Sequence, residues 1–120
     1  MNINKTYISL LVSNIEVSKD WYTKLLGREP DNKPMDSLIQ WEIFNHSGIG
    51  ICTEKEIAHR GALFLYVDDL SQELQRLKKE SIEFGKDIKG DYSTLVQILD
   101  PDGNLITLAS SPNPPFPKYS

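Results

Sequence analysis

Apolar and polar residues alternate along several short stretches of the chain, a pattern typical of β-strands that bury one face. The clearest stretch runs from Leu38 to Phe44, where Ile39, Trp41 and Ile43 fall on one side. Other short apolar stretches predict further strands at Tyr7–Val12, Ile49–Cys52, Ala62–Val67, Thr94–Leu99 and Leu105–Ala109.

Two longer stretches space their apolar residues by three and four positions, which predicts amphipathic helices. The first helix is predicted over Ile15 to Leu26, with Asn14 as its N-cap and Gly27 just after its end. The second helix is predicted to begin after Asp69, another good N-cap, and to reach about Glu80. Each predicted helix therefore follows a predicted strand.

Turn-forming residues punctuate the chain between these elements. The segment Arg28 to Pro34 is predicted to be a turn, as is Asn45 to Gly48. The run from Asp100 to Gly103 places Pro at the second and Gly at the fourth position of a β-turn. The last ten residues, from Ser111 onward, are rich in proline and are predicted to be extended or disordered.

The second half of the chain repeats the first at an offset of 55 residues, the separation of Asn14 from Asp69. At this offset the two helix caps coincide, and the predicted turn glycines Gly48 and Gly103 coincide as well. The repeat predicts two β-α-β-β-β modules, in each of which one helix buries its apolar stripe against a sheet.

The predicted modules span about residues 6–55 and 61–110. They are expected to form one domain over residues 1–110, followed by a Pro-rich tail over residues 111–120. A chain of 120 residues has room for one modest core and little more.

Composition and charge exclude several classes of function. With 13 Lys and Arg against 17 Asp and Glu, the net charge is −4, which argues against binding to nucleic acids or to anionic membranes. The single cysteine, Cys52, excludes an internal disulfide. The apolar stretch near the amino terminus is too short for a signal peptide or a membrane span, so we expect a cytoplasmic protein.

Four segments, in their order and spacing, resemble the vicinal-oxygen-chelate superfamily. They are Leu11–Asn14, Trp21–Gly27, Tyr66–Leu70 and Asp100–Ile106. This superfamily includes glyoxalase I, bleomycin-resistance proteins, fosfomycin-resistance enzymes and extradiol dioxygenases. The resemblance implies an α+β fold in which two βαβββ modules curl an eight-stranded mixed sheet into a cup, with the helices outside and the ligand on the concave face.

The enzymes of this superfamily hold a divalent metal, and the resemblance also indicates where its ligands would lie. A His early in each first strand corresponds to Tyr7 and Ala62, and a Glu late in each last strand corresponds to Cys52 and Thr107. None of these residues is of the usual ligand type, and Ala62 and neutral Thr107 do not hold a divalent ion. We therefore expect neither a metal nor another cofactor.

The remaining residues with chemical potential are interpreted as structural. His46 is expected in a hairpin turn and His59 in the connection between modules. Cys52 is expected to be a small core or cup residue, because no sequence feature indicates an activated thiol. Trp21 and Tyr22 lie on the apolar helix stripe and are expected in the core. No catalytic residue is predicted.

Strand alternation selects the residues that would line the cup. The predicted ligand-binding residues are Tyr7, Ser9, Gln40, Glu42, Cys52, Ala62, Phe64, Tyr66, Gln97 and Thr107. Phe44 shares their parity. Glu42 and the two glutamines could instead lie on a solvated edge. A cup that is partly aromatic and partly polar, with one carboxylate, suits a small planar or amphiphilic organic ligand.

The resemblance therefore favours a metal-independent binder of a small molecule. Its nearest functional analogue is the bleomycin-resistance group, whose members sequester a drug without chemistry and are typically homodimers. Two alternatives remain open. One is a lyase, isomerase or dioxygenase with non-standard metal ligands, and the other is a regulatory or interaction domain that uses the Pro-rich tail.

Overall fold

The structure is a computed structural model that describes residues 2–53 and 60–115. Its contacts divide the chain into two compact units. The first unit comprises Met1–Gly61 with Asp100–Asn104, and the second comprises Ala62–Leu99 with Leu105–Ser120. In chain order the elements are β1 (Thr6–Leu11), α1 (Ile15–Leu26), β2 (Asn32–Met35), β3 (Leu38–Phe44), β4 (Ser47–Cys52), β5 (Ala62–Val67), α2 (Leu70–Lys79), β6 (Ile88–Lys89), β7 (Thr94–Leu99) and β8 (Leu105–Ser110).

The first unit is a four-stranded mixed sheet with the strand order β1-β4-β3-β2. Strand β1 runs parallel to β4, and the other pairs are antiparallel. Helix α1 contacts β3 and β4. The helix begins where the Asn14 side chain accepts hydrogen bonds from Glu16 N and Val17 N, and it ends at Gly27 in the left-handed conformation, as the sequence predicts.

The second unit repeats this topology with the strand order β5-β8-β7-β6. Its helix α2 contacts β8, and the Asp69 carboxylate caps it by accepting a hydrogen bond from Gln72 N. The predicted α+β class and the two βαβββ modules are confirmed. The eight strands are hydrogen bonded as two four-stranded sheets, one in each unit.

Two strands lie where the sequence predicts none. Strand β2, Asn32–Met35, falls partly in the predicted turn, and β6, Ile88–Lys89, has only two residues. Both are edge strands with exposed residues, so neither carries an alternation that would distinguish it from a loop. Pro34 is compatible with β2 because an edge strand needs only one of its two sides for hydrogen bonds.

The internal repeat does not keep one offset. The helix caps Asn14 and Asp69 are 55 residues apart, as predicted. Gln40 pairs with Gly50 in the first unit, and Gln97 pairs with Thr107 in the second. Equivalent residues of β3 and β7, and of β4 and β8, are therefore 57 residues apart. The predicted match of Gly48 with Gly103 is wrong. Gly48 lies within β4, whereas Gly103 lies in the turn before β8 with φ of 85°.

The two hairpins explain this difference. The first hairpin turn contains only Asn45 and His46, whereas the second comprises residues 100–104. A β-bulge between Glu42 and Phe44 also shifts the pairing register of the first hairpin by one residue.

Each unit buries the apolar face of its sheet against its helix. The buried apolar residues of the first unit are Leu10, Val12, Tyr22, Leu25, Ile39, Trp41, Ile49 and Ile51. Those of the second unit are Leu63, Leu70, Leu77, Ile82, Val96, Ile98, Ile106, Leu108 and Ala109. Tyr22 is fully buried as predicted, whereas Trp21 beside it is only partly covered. Within the described residues, neither helix is long and apolar enough to cross a membrane.

A buried carboxylate completes the first unit. Asp100 is 5% exposed and accepts hydrogen bonds from the Tyr22 hydroxyl at 2.7 Å and from Asn104 Nδ2 at 2.8 Å. Asp100 Oδ1 also accepts from the backbone N–H groups of Asp102 and Asn104. Asn104 Nδ2 donates to Leu11 O as well, and Asn104 Oδ1 accepts from Gly61 N. This network fastens the predicted Asp-Pro-Asp-Gly turn to the first unit.

We predict that Tyr22→Phe lowers the free energy of unfolding and makes it less dependent on pH in the alkaline range. Burial and the Asp100 carboxylate raise the pKa of Tyr22 above its ordinary 10.0. The neutral hydroxyl therefore contributes stability fully below pH 10, and that contribution is lost as the pH rises further, by up to about 1.4 kcal/mol per pH unit. At neutral pH the lost hydrogen bond to Asp100 should cost about 1.5–3 kcal/mol in urea unfolding.

Tyr7→Phe is the matched control for this prediction. Its hydroxyl donates to the part-exposed Glu42 at 3.2 Å, so its removal should cost less than about 1 kcal/mol. An alkaline loss of stability in Tyr22→Phe as steep as in the unsubstituted protein would contradict the role assigned to Tyr22.

Candidate functional site

Each sheet has a second face, opposite the residues that pack on its helix. We call the one in the first unit the first face and the one in the second unit the second face. Hydrogen-bonded pairing places the first face in three rows, Tyr7-Gly48-Glu42, Ser9-Gly50-Gln40 and Leu11-Cys52-Leu38. The second face has the rows Ala62-Leu105-Leu99, Phe64-Thr107-Gln97 and Tyr66-Ala109-Leu95.

The first face is polar and carries one carboxylate. The Tyr7 hydroxyl donates to Glu42 Oε1 at 3.2 Å, and Lys5 Nζ lies 3.3 Å from the same oxygen. Lys5 Nζ is also 5.8 Å from the centroid of the Tyr7 ring. The hydrogen bond to Glu42 raises the pKa of Lys5 above 10.5, so this ammonium stays charged at neutral pH.

Two glycines of β4 leave space between β1 and β3 on this face. A Cβ atom at Gly48 would overlap the Trp41 carbonyl oxygen and would lie 2.7 Å from Cε1 of Tyr7. At Gly50 a Cβ atom would lie 3.1 Å from Ser9 Oγ. Ser9 is exposed, whereas Gln40 and Cys52 are partly buried. The glycines thus let the Tyr7 side chain reach across β4 to Glu42.

The second face is mainly aromatic and aliphatic. The rings of Phe64 and Tyr66 lie 5.0 Å apart at 42°, and the two residues are 49% and 51% exposed. Ala62 and Gln97 are exposed, whereas Thr107 is only 6% exposed between its strand neighbours Phe64 and Gln97. Half-exposed rings on a sheet are unusual in a core and are typical of a binding surface.

A depression of about 180 Å³ adjoins this aromatic pair. It is lined by Phe64, Tyr66, Gly90, Asp91, Tyr92, Ser93 and Leu95. Sequence reasoning missed the residues from Gly90 to Ser93, because they lie in a loop without periodicity. A hydrogen bond from Gly90 N to Ser93 O closes this turn.

The ten predicted ligand-binding residues therefore fall into two groups. Tyr7, Ser9, Gln40, Glu42 and Cys52 share the first face. Ala62, Phe64, Tyr66, Gln97 and Thr107 share the second face. Phe44 leaves this arrangement, because the β-bulge pairs it with Ser47 and so reverses its side. His46 lies in an exposed hairpin turn as predicted, whereas His59 lies outside the described residues.

The residues at the metal-ligand positions do not fit a divalent metal. Ala62 and Thr107 are diagonal neighbours on the second face, as a ligand pair would be, but neither carries a suitable donor. In the first unit, Gly50 has the strand register of Thr107 and offers no side chain. The sequence-based assignment placed Cys52 at the position of the family's metal-binding glutamate. The strand register places Gly50 there instead, so that assignment is wrong by one row of the first face. Within residues 2–53 and 60–115, no group of three His, Cys, Asp or Glu residues could hold a metal.

Comparison with known proteins gives a family match over most of the chain. The profile of the Glyoxalase/Bleomycin resistance protein/Dioxygenase superfamily matches residues 6–108. Comparison with curated proteins gives no match.

Several solved structures share this fold. A glyoxalase/bleomycin resistance protein from Catenulispora acidiphila is 26% identical with a TM-score of 0.81, and the match covers 90% of this chain and 98% of the other. A glyoxalase/bleomycin resistance protein/dioxygenase from Nocardioides is 15% identical with a TM-score of 0.75, covering 100% and 89%. Lactoylglutathione lyase from Agrobacterium tumefaciens is 16% identical with a TM-score of 0.72, covering 88% and 91%. The last two similarities show the fold alone.

We predict that Gly48→Ala destabilises the protein by about 1–3 kcal/mol or more, because the added methyl group meets the backbone of β3. Gly85→Ala is the control, since the nearest atom to a Cβ added at Gly85 is Gln97 O at 3.7 Å, and this substitution should change stability by less than about 1 kcal/mol. Urea unfolding measures both variants. Equal stability of the two would contradict the close approach at Gly48.

Proposed function

Because the chain belongs to the glyoxalase/bleomycin resistance protein/dioxygenase superfamily, we propose that it binds a small organic molecule without a metal and acts by sequestering a drug. In this proposal the protein is cytoplasmic, the predicted face residues contact the ligand, and no side chain performs covalent chemistry. The solved structure at 26% identity is described as a glyoxalase/bleomycin resistance protein, a description that is compatible with this proposal.

The observation that carries the proposal is the half-exposed pair of Phe64 and Tyr66 on the second face. Exposed rings cost free energy in water, and a planar or apolar ligand that stacks on them removes that cost. The adjoining depression provides a concave surface, which small-molecule sites require.

The first face supports an amphiphilic ligand. Glu42 is the single acidic side chain in its three rows, and the exposed ion pair with Lys5 holds it only weakly. A cationic group of a ligand could therefore displace Lys5 and take its place beside the Tyr7 ring, which also attracts cations. The net charge of −4 is compatible with such a ligand.

A metal-dependent lyase or dioxygenase is the competing function. Its chemistry needs a Lewis acid that polarises substrate oxygens, held by three or more protein ligands. The misfit of Gly50, Ala62 and Thr107 to that task favours sequestration. Elemental analysis of the purified protein separates the two, because stoichiometric zinc, nickel, manganese or iron would contradict the proposal.

We predict that metal-free bleomycin binds the protein in isothermal titration calorimetry and that Phe64→Ala weakens this binding by roughly tenfold, through lost ring contacts. Excess EDTA should leave the affinity unchanged. Phe44→Ala is the matched control, because Phe44 is 73% exposed and lies off both faces. Absence of binding, or equal weakening by the two substitutions, would argue against the proposed site.

We also propose that the protein is a homodimer, as is typical of its superfamily. Ile8 on the edge strand β1 is 54% exposed, which provides apolar surface for a partner subunit. Size-exclusion chromatography with light scattering should give a mass of about twice 13.7 kDa. A monomer at all micromolar concentrations tested would contradict this prediction.

A further inference from the structure

We infer that a second depression on the second face, over Leu99 and Leu105, binds an unbranched alkyl chain that ends in a cationic group, as in an alkylammonium ion. This depression shares no lining residue with the one beside Phe64 and Tyr66. The inference rests on the proposed function in one respect, because it takes the second face as a ligand surface. It adds a separate site whose ligand is aliphatic and charged.

Two strands form the floor of this depression, which we call the aliphatic depression. Leu99 of β7 pairs with Leu105 of β8, and Gln97 lies on the same side of β7 one row away. Leu99 is 65% exposed, and Leu105 is partly buried. Exposed apolar area costs free energy in water, so an apolar ligand that covers these side chains gains affinity.

The segment that follows helix α2 forms the wall. Ile82 is buried, and Gly85 N donates a hydrogen bond to Gln97 O at 3.0 Å, so the segment is fixed at both points. Glu83 and Phe84 lie between these two points and line the aliphatic depression. Because the wall belongs to the folded unit before a ligand arrives, binding pays little to order it.

The size and the lining favour a flexible chain over a flat ring or a protein partner. The volume of about 490 Å³ falls within the range of roughly 300–1,000 Å³ that is usual for small-molecule sites. Its apolar lining comprises Phe84, Leu99 and Leu105, with only one ring for an aromatic ligand to meet. A stable protein interface uses about 20–30 residues a side, far more than this depression offers.

Glu83 determines the sign of the ligand's charge. It is exposed, and it is the single charged residue among the six described residues that line the aliphatic depression. Lys78 lines a neighbouring depression that Glu83 also borders, but it does not line this one. The carboxylate attracts a cation and repels an anion, and the side-chain carbonyl of the exposed Gln97 adds an acceptor for ammonium N–H groups.

The test uses butylammonium, octylammonium and octanoate as probes below their micellar concentrations, with affinity measured from amide chemical shifts in ¹⁵N-edited NMR spectra of the full chain. Octylammonium should bind roughly tenfold more tightly than butylammonium, because each buried methylene group adds affinity. Octanoate should bind roughly fivefold more weakly than octylammonium, because its charge is of the same sign as that of Glu83. The shifted amides should include those of Gly85, Gln97 and Leu105.

Leu99→Ala should weaken the binding of octylammonium roughly fivefold, through lost apolar contact. Ile88→Ala is the matched control, because Ile88 is 44% exposed on β6 but does not line the aliphatic depression, and it should leave the affinity unchanged. Glu83→Gln should bring octanoate to within twofold of octylammonium. Asp91→Asn removes the same charge beside the other depression and should keep the preference for the cation.

Equal affinities of octylammonium and butylammonium in the unsubstituted protein would overturn the inference, and so would equal affinities of octylammonium and octanoate. These comparisons need no variant to fold. If Leu99→Ala converts a dimer to a monomer in size-exclusion chromatography while the affinity for octylammonium stays the same, a second copy of the chain covers Leu99 and the inference fails.

The outcome is separable from that of the proposed function. Phe64→Ala should leave the binding of octylammonium unchanged, because Phe64 does not line the aliphatic depression. If octylammonium behaves as expected but bleomycin does not bind, the aliphatic site stands and drug sequestration fails. If bleomycin binds through Phe64 while octylammonium does not bind, sequestration stands and the aliphatic site fails.

Discussion

The buried carboxylate of Asp100 is the interaction on which the first unit depends. It joins Tyr22, 78 residues earlier in the chain, to a turn whose Asn104 side chain also bonds to the backbone of β1. Four donors satisfy this carboxylate, which is what a buried charge requires. The first unit therefore includes residues 100–104, and its α1 is fastened against one side of the sheet, which leaves the first face to other uses.

The two faces have diverged in chemistry although they share one topology. On the first face, small residues of β4 let Tyr7 reach Glu42, so a carboxylate and a phenol stand together. On the second face, Phe64 and Tyr66 present two rings tilted against each other, beside a loop that contains Ser93. Where the superfamily's enzymes would carry metal ligands, this chain has Gly50, Ala62 and Thr107, none of which suits a divalent ion.

The sequence-based predictions were accurate where the signal comes from residues that are close together in the chain. Both helices begin after the predicted caps, because an Asn or Asp side chain bonds backbone N–H groups only a few residues away. The central strands were predictable because their alternation reflects burial on one side. The edge strand β2 was not, since it buries nothing. The constant repeat offset failed at Gly48, because a bulge and a short turn changed the register of one hairpin only.

The sequence by itself determined the class of fold, the helix boundaries and the side of the strand on which Tyr7, Phe64 and Thr107 lie, because alternation and capping act between near neighbours. Only the tertiary structure decided which side chains meet. It placed Ser93 beside Phe64 and the Tyr22 hydroxyl on Asp100, and it left Thr107 buried but Phe64 half exposed. These outcomes depend on strand register and loop path, which arise from packing between distant segments and leave no periodic trace in the chain.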